Sequence, residues 1–414
     1  GGEVEDYRIR IMTNTSPVLV GVTADYSVLE DAGDDVFNLS AKFTDDDVSN
    51  GNGDLLTYSV SLQGFASAVT DLGTSGAVHV RFEARQPGAA GDAIRVLVTQ
   101  SNHNDNSGPV ITVSGSSITV DANTNALNPT TARQLVDAVN GDAAAAALVS
   151  ASIARGVETQ DISATDTGTY SPVRLATTLP VDYELDGEEL TLHYLPDQNG
   201  KVVVVMTASD QTLTAVSDTV TITIGAVNDA PLFDTGTNPV VVNEDAGLQQ
   251  VDAWASNLRP GPATAVDESI QALQFHLTVL NTGSLTAADF TVLPAIDAAT
   301  GRLTFQAAPN ANGTALVEVT LQDDGGTALG GVDTSAKTTL TITVNPLNDP
   351  PVLHVESTFQ TMTEDTALVF NAVNGNAVSV SDLDAAEAPV EQLRVRLAVL
   401  QGRLSLGEIP AGLI

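Results

Sequence analysis

Carboxylates recur in this chain in two short phrases. A Glu-Asp pair closes a strand-like run at SVLEDAG (27–33), VVNEDAG (241–247) and TMTEDTA (361–367), and an Asn-Asp phrase ending in proline follows others at AVNDAP (226–231) and PLNDPP (346–351). Such oxygen donors suit hard cations, because calcium takes about six to eight oxygens at about 2.3–2.6 Å from carboxylates, amides and backbone carbonyls. One loop rarely supplies that many, whereas turns of two domains converging at a junction can. The same phrases are also ordinary turn chemistry: Asn and Asp side chains bond nearby backbone, and proline stops a strand. A Glu-Asp pair at a strand start also works as an edge charge that discourages edge-to-edge association.

Single-loop calcium sites fail on inspection. DDDVSNGNGDLL, from Asp45, has acids at the first and third positions, but Asn50 stands where the loop needs Gly and Leu56 where it needs Glu. DANTNALNPTTA, from Asp121, fails in the same way at Ala126 and Ala132. Catalytic patterns fail too. His79, His103, His193, His276 and His354 are scattered without metal-ligand spacing, and there is no nucleophile elbow, phosphate loop or dinucleotide fingerprint. His103, in SNHNDNSG, reads as a solvated loop residue. The carboxylates are so numerous that pairing any two as acid and base means nothing without geometry, and the expected class is non-enzymatic.

Composition points the same way. With 52 Asp plus Glu against 16 Lys plus Arg, a formal net charge of -36, the chain should be repelled by nucleic acid and by anionic lipid. Its natural small partners are cations. The absence of cysteine removes disulfides, thiol nucleophiles and Cys-ligated zinc together. No apolar run approaches the roughly 18 residues a membrane span needs, and no signal peptide begins the chain. Residue 1 is Gly with a motif already under way, which reads as a piece of a longer polypeptide. At 43% apolar the chain can bury real cores, but with 4% aromatics those cores must be aliphatic, and a stacking platform for sugars or bases is hard to assemble.

The elements that must position the acidic phrases follow from their spacing. Glu244 to Glu364 is 364 − 244 = 120 residues, and Asp229 to Asp349 is 349 − 229 = 120, so one unit is about 120 residues long. Glu30 to Glu244 is 214, which leaves 214 − 120 = 94 residues over. Texture assigns that surplus to an insertion. GDLLTYSVSL (53–62) reads as an early strand of a unit and LTLHYLPDQNGKVVVVMTASD (190–210) as its late strands. Between them VHVRFEAR and AIRVLVTQ read as strands, and TTARQLVDAVNGDAAAAALVSA as one helix with a Thr or Asn-Pro start. Elsewhere Val, Thr and Ile runs divided by Gly, Asp, Asn and Pro predict short antiparallel strands. The expected fold is all-β: tandem antiparallel β-sandwiches with one small α+β insert.

These units resemble bacterial cadherin-like repeats of large surface proteins, on the Glu-Asp pair, SDLDA (381–385) or TDDDV (44–48), PDQNG (196–200) and PNANG (309–313), and the closing VNDAP. GGEVEDYRIRI resembles the closing strand of a GEVED domain. The insert, with ARQPGAAGDAIRV, is similar to a small module of bacterial surface repeats and phage tail sheaths. The expected division is 1–12 for the GEVED end, 13–65 with 161–228 for repeat 1, 66–160 for the insert, 229–348 for repeat 2 and 349–414 for a partial repeat 3. The resemblance implies calcium at the junctions. One would use Glu244, Asn348, Asp349, Asp382 and Asp384. The other would use Glu30, Asn228 and Asp229, where the lower repeat offers only VDES, with Asp267 and Glu268, in place of Asp-x-Asp. Asp45 and Asp47 would face whatever precedes residue 13, although NTSPVLVG lacks the Asn-Asp linker.

Ala226, Ala230, Pro346 and Pro350 occupy linker places where cadherins carry further Asp or Asn, and the Asp-Arg-Glu segment is missing, which implies fewer ions and weaker binding. Asp323 and Asp324, in LQDDGG, read as a tight turn ahead of ligands. The function this implies is a calcium-stiffened, extracellular spacer or adhesive filament on a cell surface. Its partners would be calcium, neighbouring repeats, further copies of the chain or a cell-surface receptor. A self-assembling sheath or surface-layer subunit and a carbohydrate-binding accessory segment are the alternatives.

Overall fold

The computed structural model describes residues 14–46, 55–72, 78–104, 107–162, 173–210, 213–355, 360–384 and 393–407. The expected GEVED end and Asp47 lie outside them. The described residues divide into two compact units. One extends to Asp234 and takes in Asn257–Gln274 and Thr320–Ala336, and the other comprises Thr235–Ser256, Phe275–Val319 and the chain from Lys337 on.

In the first unit, Gly200–Ser209 and Val216–Gly225 are ten-residue strands with inward apolar residues at alternate positions, the period a half-buried strand requires. They pair antiparallel, Thr57–Gly64 joins antiparallel on one side, and Tyr26–Leu29 joins parallel on the other. A second sheet of Val181–Asp186, Glu189–Tyr194 and Asp35–Asn38 faces them. Val202, Val204, Met206, Val220 and Ile222 meet Leu190, Leu192, Leu39 and Phe43 in an almost wholly aliphatic core.

Between Thr57–Gly64 and Val181–Asp186 the chain builds a separate α+β module. Ser67–Leu72, Val78–Ala84 and Val149–Arg155 form one sheet, and Val173–Arg174, Arg95–Ser101, Ser117–Asn123 and Val110–Ser114 another. The expected single helix is two. Thr131 opens Ala132–Gly141 with a capping box to Gln134, and the Asp142 carboxylate then accepts from Ala144 N at 3.0 Å and Ala145 N at 2.9 Å, starting a second helix at Ala143–Leu148. Ile162 and Leu175 are fully buried in this module's core beside Phe82, Val98 and Leu135, so its packing runs past residue 160. His103 is not solvated as expected. Its side chain is 11% exposed, its Nε2 is 3.3 Å from Asp121, and its Nδ1 is 3.1 Å from Ser107 Oγ.

The second unit repeats the sandwich order. Val240–Asn243 lies parallel to Thr338–Asn345, which pairs antiparallel with Gly313–Gln322 and, beyond it, Gln274–Leu280; Gln249–Val251, Leu303–Ala307 and Phe290–Ile296 form the facing sheet. Phe305 is fully buried, with the Phe290 ring edge-on at 6.3 Å, and the indole of Trp254 donates to Thr237 O at 3.0 Å. Val352–Val355 then pairs antiparallel with Val378–Ser381. The all-β class follows from these sheets: tandem antiparallel sandwiches carrying one small α+β module. Among the described residues, no helix is long and apolar enough to cross a membrane.

Candidate metal centres at the acidic phrases

The Glu-Asp phrase stands where the first strand of each sandwich ends beside the last. Tyr26–Leu29 runs parallel to Val216–Gly225, so Glu30 N donates to Gly225 O at 2.9 Å and the Glu30 side chain meets the linker that follows. Its Oε1 accepts from Val227 N, and its Oε2 from Asn199 Nδ2 at 3.4 Å. Glu30 is 6% exposed, and burial first, with Asp267 and Asp229 adding, raises its pKa. Asp31, held at φ 59°, accepts from Asp197 N at 3.1 Å. One carboxylate oxygen each from Asp31, Asp197 and Asp229 lies within 4.8 Å of the others.

A second, more buried group meets the same linker. Asn228 is fully engaged: its Nδ2 donates to Asp323 Oδ1 at 3.0 Å and Val332 O at 2.8 Å, while its Oδ1 accepts from Gln271 Nε2 at 2.7 Å. It fastens the linker through both ends of its side-chain amide. Asp229 N donates to Glu268 Oε1 at 2.6 Å. Glu268 is 3% and Asp323 5% exposed, yet Glu268 Oε2, Asp323 Oδ2, Asp229 Oδ2 and Gln271 Oε1 are buried without any hydrogen-bond partner. Burial, countered in part by the Asp229 amide and reinforced by Asp229, Asp267 and Asp323, pushes Glu268 up to about 7; Asp229 and Asp323 are raised as well, by burial first. An orphaned buried oxygen costs its desolvation outright, and three neighbouring carboxylates also repel one another. The donor set is oxygen alone, which fits a hard divalent cation.

Two glycines make the approach possible. A Cβ on Gly261 would lie 1.7 Å from Glu268 Oε2, and one on Gly325 would lie 1.7 Å from Asn228 Oδ1.

In the second unit the same frame recurs 120 residues on. Glu244, 2% exposed, accepts from Leu347 N at 2.6 Å and Asn312 Nδ2 at 3.2 Å, and Asp245 Oδ1 accepts from Asn310 N at 3.1 Å. Asp349 N donates to Asp384 Oδ2, as Asp229 N does to Glu268, and Asp384 N donates to Asp382 Oδ1 at 3.1 Å. Glu268 thus stands where Asp384 does, and VDES does the work of the second Asp in SDLDA. Asp349 is raised by burial and then by Asp384, Asp245, Glu244 and Asp382. Asn348 donates to Asp349 O at 3.0 Å. Asn310 replaces Asp197, so this centre has one carboxylate fewer.

A third instance opens the first unit. Asn14 Nδ2 donates to Asp210 Oδ2 at 3.1 Å and Thr15 Oγ1 to Asp45 Oδ1 at 3.3 Å, with Asp210 2% and Asp45 4% exposed. Asn14 and Thr15 therefore occupy the places of Asn228 and Asp229, and NTSP is a linker phrase with its acid replaced.

No protein-family model and no curated protein matches the chain. Solved structures that resemble it include human protocadherin-24 EC1-2, at 12% identity and a TM-score of 0.31 over 82% of this chain and 100% of that one. Human CDH23 EC21-23 follows, at 10% identity and 0.28 over 51% and 64%. The titin domains z1z2 in complex with telethonin resemble it at 10% identity and 0.21 over 81% and 100%. At these scores the sheets themselves define the class.

Proposed function

We propose that this chain is a non-enzymatic, extracellular spacer segment of a cell-surface protein, whose sandwiches are set in line by calcium held at the acidic phrases. The reading rests on one observation: Asp229, Glu268, Asp323 and Gln271 turn four buried, unpartnered oxygens toward one joint. The inner site would be Asp229, Glu268 and Asp323. The outer one would be Glu30 with Asp31 and Asp197. At the following joint Glu244, Asp245, Asp349, Asp382 and Asp384 would serve. Calcium supplies the positive charge that lets these carboxylates stay ionised and close. The residues fix the linker through its amides: Val227 and Asp229 at one joint, Leu347 and Asp349 at the other. The division into repeat 1, made of 13–65 and the stretch from Val181 to residue 228, with 229–348 and 349–414 after it, and the bacterial origin, belong to the same proposal.

Calorimetric titration of the metal-stripped chain, with small-angle scattering on the same samples, tests it. Binding in the range of extracellular modules, about 10⁻⁴ to 10⁻³ M, and a longer, stiffer particle are expected. A chain that takes up no calcium at several millimolar would overturn the reading.

A further inference from the structure

We propose that the α+β module is a metal-independent brace for the joint at Asn228–Asp229, and that Arg155 is its positioning residue. The proposal rests on the reading above only in taking that joint as a centre of crowded carboxylates.

Arg155 ends the strand Val149–Arg155, at a register shift between Ile153 and Arg155 that leaves it opposite His79. Such a bulge re-aims the side chain that follows it. The guanidinium then reaches two segments at once. Nη1 donates to Ile270 O, and Nη2 lies 3.2 Å from Asp324 Oδ2. Asp324 accepts in turn from Ala272 N at 2.7 Å. Ile270 and Ala272 flank Gln271, whose amide holds Asn228, and Asp324 adjoins Asp323, which also holds Asn228. One side chain thus grips both turns that clasp the linker.

The module is itself tied to the sandwich through the same sheet, where Lys201 Nζ on Gly200–Ser209 lies 2.6 Å from Glu83 Oε1 on Val78–Ala84. Beside it lies a cleft of about 510 Å³ lined by Val69, Arg81, Asn199, Thr264 and Ile270.

Charge points the same way. Glu30, Asp31, Asp197, Asp229, Asp267, Glu268, Asp323 and Asp324 crowd this joint, and among the described residues the ion pair that reaches them is Arg155–Asp324. No ion pair among the described residues reaches Glu244, Asp245, Asp349, Asp382 or Asp384. The two joints should consequently differ when metal is removed: the first keeps a resident cation and the second does not.

The amides make matched probes, since Val227 and Asp229 donate to acids at one joint as Leu347 and Asp349 do at the other. Hydrogen exchange is measured on the full chain, metal-free and with calcium, for the wild type, Arg155→Ala and Arg155→Lys. In metal-free buffer the wild-type 227–229 amides should exchange about fivefold slower than those at 347–349, the scale of one partly exposed ion pair. Arg155→Ala should abolish the difference, and Arg155→Lys, which keeps the charge but not the two-armed grip, should restore part of it. Unchanged exchange around Phe82 and Val98 checks that the module stays folded. Equal exchange at the two wild-type joints, or no effect of Arg155→Ala, overturns the brace. If calcium protects neither joint, the metal reading fails, while the metal-free comparison still decides the role of Arg155.

Discussion

Glu268 gives the sharpest prediction, because metal and proton compete for the same buried carboxylate. Its folded pKa is about 7 against an ordinary 4.5. The folded chain therefore binds the proton more tightly than the unfolded chain does. Stability should fall as pH rises from about 4.5 and the loss should be complete above about 7, amounting to something on the order of 3 kcal/mol. Asp229, Asp323 and Glu30 are raised as well and add to the same slope. Glu268→Gln keeps an acceptor for Asp229 N and removes the charge. In metal-free buffer at pH 8 it should stabilise the unit containing it, raising Tm by roughly 5–10 °C, and a rise in calcium that the wild type displays should be lost. Scanning calorimetry at pH 5 and pH 8, metal-free and with calcium, measures all of these. A Glu268→Gln chain that melts lower than wild type in metal-free buffer at pH 8, or that keeps the full calcium rise, would refute the assignment of Glu268 as a buried, metal-responsive carboxylate.

Other substitutions separate packing from metal response. Asp382→Ala combined with Asp384→Ala should remove calcium protection of the 347–349 amides by hydrogen exchange; protection equal to wild type would exclude both residues as ligands. Gly261→Ala puts a methyl 1.7 Å from Glu268 Oε2 and 3.2 Å from Asp229 Cβ. Glu268 should swing away and calcium affinity should fall about tenfold or more in a titration, with the sheets intact by circular dichroism. Phe305→Ala, at a fully buried site, should cost about 3–5 kcal/mol by denaturant unfolding. It should leave Asp229 and Glu268 exchanging as before.

Much of the fold was legible because strands have period two and the cores are aliphatic. KVVVVMTAS and GTALVEVTLQ alternate in and out as read. The break at Asp142 was not legible from the Ala-rich run, since it depends on a carboxylate turning back onto two amides. The candidate centres were half legible. Glu30 and Glu244 were found from their repeated phrase, whereas Asp31 and Asp197 are 166 residues apart in sequence and meet only when strand ends meet. Asp323 was read as a turn residue, and it is one, accepting from Gly325 N at 2.9 Å, but it is also buried against Asn228. A signal for it was present. Ala315, Val317, Val319 and Leu321 are the inward positions of their strand, and Asp323 is the next in that parity; Asp210 continues Val202, Val204, Met206 and Ala208 in the same way. An acid placed on the buried parity at the end of a core strand marks the joint more reliably than the Asp-x-Asp spacing that VDES lacks.

The distribution of buried charge separates what folds each sandwich from what the metal is proposed to do. Among the described residues seven carboxylates are buried: Glu30, Asp45, Asp210, Asp218, Glu244, Glu268 and Asp323. Asp218 is neutralised inside its sandwich by Lys42 at 3.2 Å and held by Thr23 N at 2.9 Å. The other six all stand at the joints, where strand ends meet a linker. Burying an acid in a core would make folding itself depend on its partner. Burying it at a joint makes only the linker's fit depend on it. The sandwich cores, built from Val, Ile, Leu and Phe, therefore need no cation to form, and chelation should loosen the exchange of linker amides far more than that of Val204 and Val317, which should stay among the most protected. Loss of core protection on chelation would mean that metal and folding are one equilibrium, and the division between rigid sandwich and tunable joint would fall with it.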